Sequence, residues 1–188
     1  KGDLTCSFLI HKDLKVKEIG KINLWFSQIL LSLLKKKFPK QKFKIKWPND
    51  IYIDDKKLAG TLIETNILKD NVEYIIIGLG INFVSCPKNL KNNSISISSF
   101  SKKVNPIDFF IYLTKEVNDS LKNVKNFIFK IDKHYLKHFK DYGKIINIES
   151  KGKIIRGTFF GLGKNGEIIL KKNDKMNIIS YGDIIWLN

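Results

Sequence analysis

At 188 residues, 43% hydrophobic and 12% aromatic, the chain can bury one core and a small appendage, a composition that excludes a disordered protein. Its formal net charge of +16 is carried almost wholly by lysine, Arg156 being the only arginine; base-edge readout favours the guanidinium fork, so specific nucleic-acid binding is not expected. Lysine, isoleucine and asparagine are abundant together, as an A+T-rich coding sequence yields, and no apolar run approaches the roughly 20 residues of a membrane span.

Residues 4–10 predict a strand, too short to span a membrane and without the layout of a signal peptide. Cys6 lies in it and Cys86 stands beside Pro87; without CxxC spacing the pair predicts neither a metal site nor a disulfide, and a reducing cytoplasm fits best. Ile22, Trp25, Phe26, Ile29, Leu30, Leu33 and Leu34 recur at helical spacing, which predicts an amphipathic helix over 17–37, ended by Pro39. Phe43, Ile45 and Trp47 then alternate with Lys42, Lys44 and Lys46, so the lysines share one strand face and Lys46 points away from Trp47. Residues 51–53 and 58–65 predict strands around the Asp54-Asp55 turn, and 73–83 another, with Tyr74 to Ile77 continuous enough for burial on both faces.

After a polar loop over 88–101, Asn105-Pro106 marks a helix start, and Phe109, Phe110, Leu113, Val117 and Leu121 form its core stripe. A further helical stretch is expected to about Phe139, with Phe127, Ile131, Tyr135 and Phe139 on one face. From about Tyr142 the texture changes to short strands at 144–149, 154–161, 167–171, 176–180 and 183–186, punctuated by Gly152, Lys164-Asn165-Gly166 and Gly182. Their spacing predicts a small β-barrel or SH3-like unit, and so an α/β domain over 1–141 followed by a β-domain over 142–188.

Activation by a nucleotide needs cations on the phosphates, a carboxylate for magnesium, and glycine where a ligand nears the backbone. Lys46, Lys57 and Asp50 meet the first two needs, and Gly60, Gly78 and Gly80 the third. Pro48 stops the strand, so Asn49 and Asp50 are expected to project from a turn, and Asn82 offers an amide. Singly, each is an ordinary surface pair, strand glycine or turn; order and spacing set them apart.

Lys46-Trp47-Pro48-Asn49-Asp50, Lys57-Leu58-Ala59-Gly60 with Ile63-Glu64 behind it, and Gly78-Leu79-Gly80-Ile81-Asn82 resemble the KWPND, KLAG and GxGIN segments of the biotin protein ligases, also called biotin–acetyl-CoA-carboxylase ligases. Gly157, Gly161, Gly166 and Gly182-Asp183 resemble that family's SH3-like domain. The resemblance implies a mixed-sheet, class II synthetase-like catalytic domain with a small C-terminal SH3-like β-barrel. It further implies formation of biotinyl-5′-adenylate from biotin and ATP, then transfer of biotin to a lysine of a biotin carboxyl carrier domain. By the same likeness Lys57 is the catalytic residue, Lys46 and Asn49 contact phosphates, Asp50 binds magnesium, Gly60 and Gly80 admit the ligand, and Asn82 holds the adenylate.

The family's glycine- and arginine-rich loop, of the type GRGRxxR, is not found upstream of residues 4–10, so the N-terminal part of the catalytic domain is expected to be missing. A DNA-binding winged helix is likewise not found; a monofunctional type is expected, with a homodimer left open. A lipoate ligase or transferase is the nearest enzymatic alternative, and a non-catalytic, lysine-rich nucleic-acid binder using the aromatics of 127–139 is the other. His11 stands alone, and His134 and His138 lack the acid of an HExxH arrangement, so they are expected to face solvent.

Overall fold

Period-two alternation becomes sheet in both halves of the computed structural model, which describes residues 3–11, 14–69, 71–87, 93–102, 104–122 and 133–185. In the first sheet β1 (Leu4–Ile10), β6 (Asn71–Ile81), β5 (Lys56–Leu68), β4 (Asp50–Ile53) and β3 (Phe43–Lys46) lie side by side in that order, and the short β2 (Leu14–Lys15) pairs with β6. These strands all pair antiparallel. The mixed character expected of the sheet rests on two isolated parallel bridges, Ile45 with Phe139 and Lys57 with Ser94.

One face of this sheet lies against α1 (Ile19–Lys37) and α2 (Pro106–Leu121). Phe8 of β1 packs on Phe26 of α1 and Phe110 of α2, with ring centroids 5.4 and 6.0 Å away, and the Trp25 indole donates to Ser120 Oγ at 2.7 Å. The apolar stripe predicted for α1 is buried throughout, although the helix begins at Ile19 after a 3-10 turn over Val16–Glu18. α2 starts as predicted: Pro106 occupies its first turn and the Asn105 carboxamide oxygen accepts the Ile107 N–H at 2.8 Å.

β6 departs from the expectation of burial on both faces. Ile75, Ile77, Leu79 and Ile81 are buried, while Tyr74, Ile76 and Gly78 are half-buried and Gly80 is exposed. Period two sends the first set to the helices and the second to the opposite, open face.

Of the helical stretch expected to Phe139, residues 123–132, with Phe127 and Ile131, lie outside the described residues. α3 (Lys133–Leu136) ends before Phe139, which instead bridges to Ile45, and Tyr135 and Phe139 are both buried. His138 does not face solvent: it is half-buried with Nδ1 3.0 Å from Lys35 Nζ, while the His134 side chain and Trp186 lie outside the described residues.

The second sheet orders β10 (Lys175–Ile179), β9 (Ile168–Lys172), β8 (Lys153–Leu162), β7 (Ile145–Ser150) and β11 (Asp183–Ile185), all antiparallel. Phe159 anchors it to the connecting segment, 5.7 Å from Phe139 and 5.8 Å from Tyr142. The turn at Lys164-Asn165-Gly166 reaches the first sheet, where Gly166 O accepts the Trp47 indole N–H at 3.1 Å. Gly166 has φ +89°, and a Cβ there would stand 2.7 Å from Gly20 O; a Cβ on Gly20 would overlap the Asn165 carbonyl oxygen. Backbone therefore meets backbone where α1 supports the second sheet. Gly20→Ala is expected to cost about 1–3 kcal/mol through overpacking, read as a lower melting temperature, whereas Gly161→Ala, whose Cβ would meet nothing within 4 Å, serves as a near-neutral control.

Candidate active site

Strand register, not sequence proximity, assembles the site. Thr5, Gly80, Gly60, Asp50 and Lys46 stand opposite one another across β1, β6, β5, β4 and β3, forming one rung on the open face. Ser7, Gly78 and Leu62 form the adjacent rung of β1, β6 and β5. The three glycines thus make a trough at the floor of a cavity of about 940 Å³, whose lining also includes Asn49, Asp50, Lys57 and Asn82. Lys46 is not among the residues that line it.

Lys57 reaches this face because of a bulge. Ile51 pairs with Ala59 but Tyr52 pairs with Lys57, so Leu58 is an extra residue in β5, and Leu58 and Ala59 are both buried. An unbulged strand would turn Lys57 toward the helices, since a shift of one residue exchanges faces. With the bulge, Lys57 Nζ lies 2.7 Å from Asp50 Oδ1, the two side chains being 39% and 19% exposed. Gly60 makes the room: a Cβ there would stand 2.8 Å from Asp50 Oδ1 and 3.0 Å from Lys57 Nζ. The space above Gly60 therefore belongs to the ion pair, and the unobstructed floor is at Gly80, where a Cβ would meet nothing within 4 Å.

The two asparagines of the motifs hold backbone. Asn49, in the turn after the cis Trp47–Pro48 bond, donates its amide to Thr61 O, and Thr61 returns N–H and Oγ1 bonds to Asn49 O at 3.2 and 3.3 Å. Asn82 Nδ2 donates to Lys57 O at 3.3 Å and to Ile95 O at 3.2 Å. Lys57 is clamped further by its N–H to Asn93 O at 2.9 Å and its carbonyl from Ile95 N–H at 3.0 Å. The segment around residues 93–97, which the sequence read only as part of a polar loop, thus fixes the backbone that carries the ammonium.

Lys46 occupies the seam between the sheets. Burial pushes its pKa below the ordinary lysine value, while Asp50, Asp141 and Asp183 pull it back up. Its Nζ lies 5.8 Å from the Tyr52 ring centroid, and burial together with Asp50 and Asp141 pushes the Tyr52 hydroxyl up to about 12. Asp141 is 1% exposed, neither carboxylate oxygen has a hydrogen-bond partner among the described residues, and Lys144 Nζ is 3.9 Å from Oδ1; burial raises its pKa. Asp183 of β11 lines the cavity itself, so the second sheet contributes to the site.

Sequence reasoning missed Asp3, because the pattern of β1 begins one residue later. Its Oδ1 accepts the N–H groups of Phe83, Val84 and Ser85 at 2.9, 2.8 and 3.0 Å, and its Oδ2 accepts Ser85 Oγ–H at 2.5 Å. Burial raises its pKa, but the hydrogen bonds from Ser85, Val84 and Phe83 outweigh that and hold it below the ordinary value. Asp3 also lines the cavity.

Among the described residues no group of three or more His, Cys, Asp or Glu is placed to hold a metal ion. A single carboxylate facing a ligand cavity, as at Asp50, suits a magnesium ion that takes its remaining oxygens from phosphates and water.

Residues 1–82 match the family model described as "Biotin/lipoate A/B protein ligase family", and residues 142–186 match "Biotin protein ligase C terminal domain". The bifunctional ligase/repressor BirA of Bacillus subtilis is 25% identical over 155 residues, covering 74% of this chain and 45% of that protein. The biotin–[acetyl-CoA-carboxylase] ligase of Paracoccus denitrificans is 35% identical over 49 residues, 26% of this chain and 20% of that protein. The chain thus aligns with less than half the length of these curated relatives. In fold it is similar to a biotin protein ligase from Aquifex aeolicus solved with biotin and ATP, with a TM-score of 0.76 at 23% identity, covering 98% of this chain and 78% of that one. The two family models fall on the two sheets, one on the glycine trough and its lysines and the other on the strands from β7 to β11, so both halves of the chain carry the domain signatures of biotin protein ligases.

Proposed function

We propose that the chain is a cytoplasmic biotin protein ligase that activates biotin with ATP and transfers it to a lysine of a biotin carboxyl carrier domain, most directly that of acetyl-CoA carboxylase. The observation that carries this reading is the Lys57–Asp50 pair, 2.7 Å apart beside the open glycine floor. Biotin's carboxylate attacks the α-phosphorus of ATP to give biotinyl-5′-adenylate and pyrophosphate. The ε-amine of the carrier lysine then attacks the acyl carbon and displaces AMP.

Lys57 stabilises the charge that grows on the reacting oxygens. Asp50 orients that ammonium and holds magnesium, whose chemistry is to neutralise phosphate charge. Lys46 and Asn49 contact the phosphates, Gly80 lets the adenylate lie against β6, and Asn82 offers its remaining oxygen to it. Residues 1–141 bind biotin and ATP, and the β-domain over 142–188 lends Asp183 to the lining of the cavity. A lipoate ligase is the second reading, because the first family model covers both acids; the match of 142–186 to a biotin protein ligase domain favours biotin. A nucleic-acid module gains no support from Tyr135 and Phe139, which are buried and not available for base stacking.

Incubation of an apo carrier domain with the chain, ATP, magnesium and either biotin or lipoate, read by mass spectrometry, is expected to give the biotin adduct. Lipoate transfer alone would move the chain to the sister activity, and transfer of neither would reject a ligase. Lys57→Ala is expected to lower adenylate formation about 10²–10³-fold with the melting temperature retained, as for loss of one group that stabilises transition-state charge; undiminished turnover would remove Lys57 from this role. Asp50→Asn should raise the magnesium concentration needed for half-maximal rate, and an unchanged requirement would reject the assignment. Gly60→Ala, which wedges a methyl between Asp50 and Lys57, is expected to cost about 10²-fold in kcat/KM by misplacing the ammonium. Unaltered kinetics would show that the pair tolerates displacement.

A further inference from the structure

Both proposed substrates are anions, and the cavity carries two features able to receive one. The first is the Lys57 ammonium. The second is the backbone of residues 83–85, whose three successive N–H groups converge on a single oxygen, the geometry of an anion-binding nest. That oxygen belongs to the chain itself, Asp3 Oδ1, and Oδ2 takes the Ser85 hydroxyl, so the carboxylate is held by four hydrogen bonds.

The two features stand at different ends of the trough. Asp3 precedes β1, and Lys57 lies on β5 beyond the intervening β6, so two strand spacings, about 10 Å, separate them. An extended ligand lying across the strands can place its acid at one end or the other. An empty nest would compete with Lys57 for a carboxylate or a phosphate, because backbone donors bind charged acceptors strongly. The segment is braced from behind as well: Phe83 O accepts Ser98 N–H at 2.8 Å and Val84 O accepts Ser98 Oγ–H at 3.0 Å, so the donors are held in place whatever fills them.

We infer that residues 83–85 form an anion site that Asp3 fills in cis, and that this leaves Lys57 as the cavity's receptor for the carboxylic acid substrate and sets the direction in which that acid lies. Asp3 is then a positioning residue. Its charge repels the acid end of the ligand from the β1 side, and its hydrogen bonds close the alternative seat. The orientation rests on the proposed function; the nest and its occupant do not.

Inorganic phosphate is the probe, followed through the backbone amide resonances of residues 83–85. Wild type should show no saturable shift there. Asp3→Ala should acquire one, with phosphate affinity raised about tenfold or more, the scale of one hydrogen bond to a charged group. Asp3→Asn keeps an oxygen in the nest and should resemble wild type, giving a control that does not depend on the alanine variant remaining folded. Saturable uptake by Asp3→Asn, or none by a folded Asp3→Ala, would overturn the occupancy. In the carrier assay, phosphate should raise the KM for biotin in Asp3→Ala and leave that of wild type unchanged; a KM indifferent to phosphate in a variant that binds it would overturn the orienting role. Failure of wild type to transfer biotin would defeat the proposed function and the orientation with it, and the amide shifts would still decide the nest.

Discussion

The extra residue in β5 is the constraint on which the site depends. In a strand of strict period two, Leu58 would share a face with Asp50 and Gly60, and Lys57 would enter the helix-covered core, where an ammonium without a partner is costly. The bulge exchanges these fates, burying Leu58 and bringing Lys57 to Asp50. An ion pair this exposed contributes only about 0–1 kcal/mol to stability. Its value is positional: a charge is held at a defined point above a backbone that Gly60 leaves bare.

The surrounding hydrogen bonds serve that position. Asn49 and Thr61 tie the turn before Asp50, the first residue of β4, to β5, while Asn82 and the backbone at Asn93 and Ile95 grip Lys57 from the other side. Side-chain amides that the motifs suggested as ligand contacts thus work as struts in the fold. The two roles are compatible, because an amide that donates to backbone retains its oxygen as an acceptor. Rigid support of this kind is what preorganised electrostatics needs, since a charge that must move to meet the transition state loses much of its effect.

The two sheets are linked by contacts with little tolerance. Glycine backbones at Gly20 and Gly166 meet without side chains between them, and the Trp47 indole crosses the seam to Gly166 O. Across the same seam Lys46 feels carboxylates from both sides, Asp50 from the first sheet and Asp183 from the second, with the buried Asp141 at the connection.

Much of this was legible in the linear chain. Apolar periodicity located α1, the start of α2 and the succession of strands, because burial of one face leaves its period in the sequence. The Lys-Trp-Pro-Asn-Asp, Lys-Leu-Ala-Gly and Gly-Leu-Gly-Ile-Asn segments pointed to nucleotide chemistry and to residues able to serve it, because residue type is local. Pairing register is not local, and only the folded sheet decided it. It set Thr5, Gly80, Gly60, Asp50 and Lys46 on one rung, and the bulge at Leu58 gave Lys57 its face. It also left β6 covered on one side only and joined Asp3 to residues 83–85, some 80 positions away. Composition and periodicity mark the candidate core and the chemistry available; which faces are covered, and the geometry in which distant backbones meet, belong to the tertiary structure alone.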